Sequence, residues 1–459
     1  MITGLDLMIN IISTLLFLLS TVFILRAKKA RNQSEYVTAG KNTNLFYLIS
    51  TLVMTEINPM ALIVMASLGY QAGYRAFWMA AIAFLSPFFA TVTTCKKWKD
   101  VDVSCVSTLF DRHLGYAVGN VVRIILILSL LILTATYLKG TMIYFGSIYP
   151  ELSSIVFVIL ILTFCVVSVI KKGLIGIIRM DVVGFILMTL LIVACLISCA
   201  FSLFSTQEFG SIESTLKQQS TTLPTNYLIA LFFLQSIMYS IAPWWGQKIF
   251  SAKDTNTAYK ASVYSSILIF TFYSAIVAFG IFLKQHGVAL TDPETAFPQT
   301  ILTFIPSNYT VFYDILFFYI ATTTICGVWS SILGMVSLGF FQKTDQSSPT
   351  INYFIWVMIG LISCTIALNN IESVLHAAVL AVMQIASIYF SVIAIFYFKR
   401  ISRLGSLVSI FFSIFLGYFF LYYLGEEGNY IWYWTIIALP AMFISGYFFS
   451  NVHNVFKTN

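Results

Sequence analysis

Thr55-Glu56-Ile57-Asn58-Pro59 stands in the middle of an apolar run covering about residues 45–70. Helix breakers free backbone polar groups, and at membrane depth these are tolerated only where protein encloses them or they line a cavity. An ionisable side chain at that depth is costly and marks a functional site by default. The five residues therefore predict a discontinuous membrane helix built around a cavity. The alternative is that Pro59 only kinks the helix, but the carboxylate beside it argues against so plain a role.

The lipid setting follows from the rest of the chain. With 59% hydrophobic and 9% charged residues over 459 positions, the composition cannot clothe a water-soluble surface. Apolar runs long enough to cross about 30 Å of hydrocarbon recur throughout. They fall near 5–27, 45–70, 75–95, 118–146, 152–170, 174–204, 225–250, 260–284, 308–341, 350–368, 371–397, 404–423 and 430–450. The expected fold class is an all-α integral membrane protein with about thirteen transmembrane helices. The first run is too long for a secretory signal, lacks a basic leader and has no small-residue cleavage site, so it is expected to stay in the mature protein.

Basic residues collect in alternate loops, at 26–31, Lys96/Lys97/Lys99, Lys171/Lys172, Lys248/Lys253, Lys343 and Arg400/Arg403. The intervening loops carry Glu151, Glu208, Asp292, Glu294, Glu426 and Glu427. By the positive-inside rule the N-terminus lies outside and the C-terminus in the cytoplasm of a cell (inner) membrane, which agrees with an odd number of crossings. The formal charge of +7 then belongs to the cytoplasmic leaflet. The expected partners are the lipid bilayer and a small-molecule solute, not nucleic acid. Seven cysteines stand singly and four histidines form no i, i+4 pair, so neither a disulfide framework nor a zinc site is indicated.

A second interruption, Ala242-Pro243-Trp244-Trp245-Gly246, lies in the seventh run, nearer the cytoplasm. For Pro243 taken alone, a simple kink and a functional break are both open. The two interrupted runs are five apart, the correspondence expected if runs two to six and seven to eleven are inverted repeats. Paired discontinuous helices in corresponding positions are the best sequence pointer to a transporter's binding site. The expected organisation is 1–40 as an extra N-terminal helix and basic loop, and 41–206 and 225–400 as two inverted five-helix repeats. The remainder, 401–459, forms two C-terminal helices. This 5+5 arrangement makes the first and sixth core helices discontinuous.

Five stretches then resemble the sodium:solute symporter family, whose members carry small solutes such as sugars, proline, pantothenate and sialic acid. Ser34-Glu35-Tyr36 with Ala39-Gly40-Lys41 resembles the family's opening Ser-x-Glu-Tyr-Phe-x-Ala-Gly-Arg. Gly69-Tyr70-Gln71-Ala72-Gly73 resembles the end of its first repeat helix, and Leu109-Phe110-Asp111-Arg112-His113 its Glu-Tyr-Leu-x-x-Arg-Phe-Gly loop. Lys172-Gly173-Leu174-Ile175-Gly176 followed by Asp181 is similar to Gly-Gly-Leu-x-Ala-Val-x-x-Thr-Asp. Gln247-Lys248-Ile249-Phe250-Ser251-Ala252-Lys253-Asp254 resembles Gln-Arg-x-x-Ala-Ala-Lys-Asp. The resemblance runs over roughly residues 34 to 400, in order, and implies the leucine-transporter-type inverted-repeat fold.

It also implies a sodium site between backbone carbonyls at the first break and groups of a partner helix. Matching positions are the carbonyls of Met54, Ile57 and Ala321 and the hydroxyl of Thr324. Glu56 matches a position that is acidic in some proline carriers of the family. Ile325 falls where a second hydroxyl belongs, so Thr323 or Glu56 has to compensate. The alternative for the run Thr322-Thr323-Thr324 is back-bonding to carbonyls four residues earlier, or packing at a helix interface. The coupling ion is Na⁺, or H⁺ with Glu56 as carrier.

Solute ligands implied by position are Asn58 and Met60 in the break and Gln235 and Tyr239 in the sixth core helix. Gln235 is an isolated amide in Leu231-Phe232-Phe233-Leu234-Gln235-Ser236 and needs a partner, either the solute or a neighbouring helix. Lys139 lies near a helix end, where it can snorkel to the interface. His376 and Gln384 are polar enough to face the cavity, and Trp244 and Trp245 are placed to gate it. Met60 and Ala61 replace the polar residues of sugar carriers, which favours a small amphipathic solute such as an amino acid or organic acid. An integral-membrane enzyme would show clustered acidic or His/Cys residues at one face, and none is visible. The tail ending Lys457-Thr458-Asn459 leaves no room for an appended signalling domain.

Overall fold

The computed structural model describes residues 4–205, 223–341, 349–369, 371, 373–398, 401–425 and 429–455. Glu208, Lys343, Arg400, Glu426 and Glu427, used above to assign loop sides, lie outside the described residues. A backbone in hydrocarbon must satisfy its own hydrogen bonds, and a helix does so within one segment. Among the described residues the only strand-like pairing is one isolated bridge, Thr43 with Ala252.

The chain runs from α1 (Gly4–Leu25) into α2 (Leu45–Glu56) and α3 (Pro59–Ala72), then α4 (Phe77–Ala90), α5 (Tyr116–Ile148), α6 (Ser154–Val169) and α7 (Leu174–Ser205). It continues with α8 (Thr225–Tyr239), α9 (Pro243–Ser251), α10 (Thr255–Gln285), α11 (Thr310–Gly334), α12 (Pro349–Asn369) and α13 (Val374–Ala386). Helices α14 (Arg403–Leu424) and α15 (Leu439–Val455) follow. Each of the thirteen expected segments coincides with one helix or one broken pair. By length and apolarity, ten helices qualify as spans and the bent pair α8/α9 as an eleventh. Helices α2 and α6 are shorter, and α3 and α4 belong to one run, Pro59–Asp100, so thirteen crossings remain an expectation of the sequence. Large apolar side chains such as Leu19, Leu190, Phe201 and Phe415 face outward, a surface suited to lipid and a liability in water.

Both expected discontinuities are present. Ile57 and Asn58 are extended, with ψ of 90° and 166°. The Asn58 side chain caps α3 by accepting from the Ala61 amide at 2.9 Å, and Pro59 takes the first helical position, where a missing N–H costs nothing. The second chain break falls at Ser240, Ile241 and Ala242, and α9 leaves α8 bent by 44°.

Close helix approach positions these breaks. Helix α10 packs across α2 and α3, where a Cβ on Gly69 would overlap the Val277 carbonyl and one on Gly280 would lie 2.6 Å from the Tyr70 amide nitrogen. Only glycine permits such a crossing, the small-residue device of membrane helix packing. Helix α5 lies against the first break, since a Cβ on Gly140 would stand 3.0 Å from the Pro59 carbonyl carbon and 3.1 Å from the Met60 nitrogen. The break is therefore walled by protein on at least two sides.

Candidate functional site

The two discontinuities meet at one carboxylate. Glu56 ends α2 and is buried. Its carboxylate accepts from the Tyr239 hydroxyl, on the last residue of α8, and from Trp244 Nε1, near the start of α9, at 3.1 Å. Those two donors flank the second break. The Glu56 carbonyl accepts from Asn58 Nδ2 at 2.8 Å and from the Tyr273 hydroxyl of α10 at 2.7 Å. Because Pro59 and Pro243 have no N–H, the carbonyls of Thr55 and Tyr239 lose their i+4 donors. The carbonyl of Ser240 is taken by Trp98 Nε1 at 2.7 Å.

Beside Glu56 lies a cavity of about 90 Å³. All four solute candidates, Asn58, Met60, Gln235 and Tyr239, line it. The Asn58 amide is already engaged at both ends, by the α3 cap and the Glu56 carbonyl, so its first role is to hold the break. Met60 Sδ accepts weakly from the Thr136 hydroxyl at 3.6 Å. Among the described residues, the Gln235 amide and the Tyr137 hydroxyl have no hydrogen-bond partner in the protein, and both line the cavity. The expectation for Gln384 is corrected. It accepts from Ser129 at 2.8 Å and donates to Tyr418 at 2.5 Å, tethering helices instead of facing the cavity. His376 and Lys139 do not line it either. Trp244 does, while Trp245 packs edge-on against Tyr239 with ring centroids 5.5 Å apart.

The cation candidates divide. Met54, Ile57 and Ala321 are fully buried, and α11 packs against α2. The Thr324 hydroxyl donates to the carbonyls of Ile320 at 2.7 Å and Ala321 at 3.2 Å, which leaves its oxygen lone pairs for a cation. Thr322 only back-bonds, to Phe318 at 2.6 Å. Thr323 donates its proton to Asp181. Asp181 also accepts from Thr51 and from Lys248 Nζ at 3.3 Å.

Lys248 therefore does not stand in a loop as the positive-inside reading had it. Its side chain has no exposure and Asp181 has 1%. The reason is that every residue of α9 is buried, so a lysine there must be paired. Further contacts tie α9 and the residues after it to the segment before α2 and to α11. Thr43 and Ser251 share a backbone bond of 2.9 Å, and Lys253 donates to the Thr43 carbonyl at 3.1 Å. Gln247 donates to the Val37 carbonyl at 2.8 Å and to Ser330 at 2.9 Å.

The sequence reading missed Tyr137, Tyr273, Thr51 and the pairing of Asp181 with Lys248. Asp181 carried the same signal as Glu56, a carboxylate inside an apolar run, and was absorbed into a motif. The tyrosines had no signal of their own in a chain with 16% aromatic residues.

No family model matches the chain, and no curated protein matches its sequence. Solved structures do match. A Na⁺-coupled sialic acid symporter, in a substrate-bound outward-open state that revealed a novel Na⁺ site, aligns over 98% of both chains with TM-score 0.78 and 15% identity. MhsT in complex with L-phenylalanine aligns over 95% of this chain and 98% of its own, with TM-score 0.39 and 15% identity, too low to carry an argument. The first alignment shows the fold. The all-helical inverted repeat with broken first and sixth core helices, expected from the paired interruptions and the motif series, is the fold of this chain.

Proposed function

We propose that the protein is a secondary transporter that couples the entry of a cation to the symport of a small organic solute by alternating access. The observation that carries this reading is the convergence of both helix breaks on Glu56. Tyr239 and Trp244, on either side of the second break, hold the carboxylate that ends the first. Breaks enclosing a mid-membrane cavity are how transporters of inverted-repeat architecture bind substrate and ion.

We assign the coupling ion to the carbonyl oxygens of Met54, Ile57 and Ala321 and the Thr324 hydroxyl, with Thr323 and the Glu56 carboxylate as the remaining oxygen donors. Carbonyl, hydroxyl and carboxylate oxygens suit a hard cation. Ile325 leaves the set one hydroxyl short, and Glu56 supplies charge in its place. Na⁺ is the ion coupled by the symporter of the same fold. Ion and solute then favour one conformation together more than either does alone, which is the coupling free energy. The solute of that structural neighbour is not carried over. The cavity as it stands measures about 90 Å³, and its solute is argued from its own lining. In the membrane the N-terminus is assigned to the outside and the C-terminus to the cytoplasm.

The test is uptake by the purified full chain in proteoliposomes, against a panel of labelled amines, amino acids, organic acids and sugars, under imposed Na⁺ or H⁺ gradients. Uptake that follows the Na⁺ gradient at constant pH is expected. Uptake that follows the pH gradient alone makes Glu56 a proton carrier, and no uptake of any solute overturns the transporter reading.

A further inference from the structure

We infer that the transported solute is a small organic amine, carried as its cation, whose ammonium group is received by Glu56. This rests on the reading of the cavity as the solute site. Charge is the first ground. Glu56 lines the cavity, and among the described residues no Lys, Arg or His does. In a medium of low dielectric an unpaired charge is strongly disfavoured. An amine pairs with the Glu56 carboxylate directly, whereas a solute bearing only a carboxylate would set a second negative charge against it and need a cation in addition to the coupling ion.

The hydrogen-bond inventory is the second ground. An ionised carboxylate offers about four acceptor positions, and protein donors to the Glu56 carboxylate are two, Tyr239 and Trp244. Acceptor capacity is left over on a buried group that faces free space. The unpartnered groups of the same cavity, the Tyr137 hydroxyl and the Gln235 amide, can also accept from an ammonium.

The third ground is the rest of the wall. Tyr137, Tyr239, Trp244 and Tyr273 gather at the Glu56 end, and aromatic rings are the usual company of alkylammonium groups. Much of the remaining lining is methionine and aliphatic, including Met65, Met79 and Leu231, which suits an apolar body and offers no fixed charge for a second ionic group. Size narrows the class further. The free space of about 90 Å³ is below the roughly 150 Å³ that admits benzene in an engineered apolar cavity. Without side-chain movement the solute has only a handful of non-hydrogen atoms.

A matched set of probes separates charge from shape. Isobutylamine, isobutanol and isobutyrate share one apolar body, and tetramethylammonium carries a charge that cannot be lost. Binding is measured by calorimetry on the full chain in lipid nanodiscs with Na⁺ present, and uptake of labelled tetramethylammonium in proteoliposomes. A charged hydrogen bond is worth about 1.5–3 kcal/mol, so isobutylamine is expected to bind about 10- to 100-fold tighter than isobutanol. In Glu56→Gln the preference for isobutylamine over isobutanol falls to within about threefold. Should this variant not fold, the wild-type comparison decides alone. Isobutanol or isobutyrate binding as tightly as the amine overturns the inference. Gradient-driven uptake of acids or neutral solutes, with amines excluded, overturns it and leaves the transporter reading standing. If nothing in either panel binds or moves, the cavity is not a solute site and both fall.

Discussion

Lys248→Met removes the ammonium that faces Asp181 and keeps most of the side chain's length and packing. Both partners are buried, 3.3 Å apart. Removing one member of such a pair costs about 3–5 kcal/mol, because the other charge stays behind unpaired. Here Thr51 and Thr323 still donate to Asp181, and hydrogen bonds to a charge are worth about 1.5–3 kcal/mol each. The loss should therefore sit at the lower end, about 3 kcal/mol. At about 2 °C per kcal/mol for a large chain, the apparent melting midpoint should fall by about 6 °C. Asp181→Asn strands the lysine instead and should cost as much or more. Replacing both removes the charges together, which is often close to neutral, so the double variant should lose less than the sum of the singles by about 2 kcal/mol or more. Tryptophan fluorescence melting of the detergent-purified chain reads all four corners of this cycle. A Lys248→Met shift under 1 °C, or a double variant that loses the full sum, would refute the pairing argument.

Other substitutions test other parts of the account. Gly280→Ala places a Cβ against the backbone of α3 near Tyr70, and overpacking costs about 1–3 kcal/mol, so its melting midpoint should fall. Thr324→Ala should raise the Na⁺ concentration for half-maximal uptake about tenfold, the effect of losing about 1.4 kcal/mol of ligand binding. Thr322→Ala, which loses only a back-bond to Phe318, should leave that concentration unchanged. Trp244→Phe removes one donor to Glu56 and should lower solute transport about tenfold or more, with protein yield and melting little altered.

The architecture was legible because hydropathy and helix breakers are local signals. Thr55-Glu56-Ile57-Asn58-Pro59 and the run around Pro243 announce their own discontinuities, and every expected apolar segment found a helix. What each polar side chain does was less legible, since that depends on which helix lies opposite. Asn58 and Gln384 were both offered as cavity residues; Asn58 lines the cavity while its amide holds the break, whereas Gln384 tethers α13 to its neighbours, roles that no spacing reveals. Lys248 was misjudged because a lysine near the end of an apolar run normally snorkels to water, whereas α9 turns inward and carries its lysine to Asp181. Tyr137 and Tyr273 were invisible among many tyrosines until folding brought them to Glu56.

The central claim is that Glu56, held between the two breaks, is where ion and solute are coupled. Its most direct test compares wild-type chain with Glu56→Gln in the same proteoliposomes, measuring initial solute uptake as the Na⁺ gradient is varied at constant pH. The account predicts steep Na⁺-dependent uptake in the wild type and, in the variant, a loss of at least tenfold together with loss of gradient dependence. Wild-type rates and an unchanged ion dependence in Glu56→Gln would contradict it.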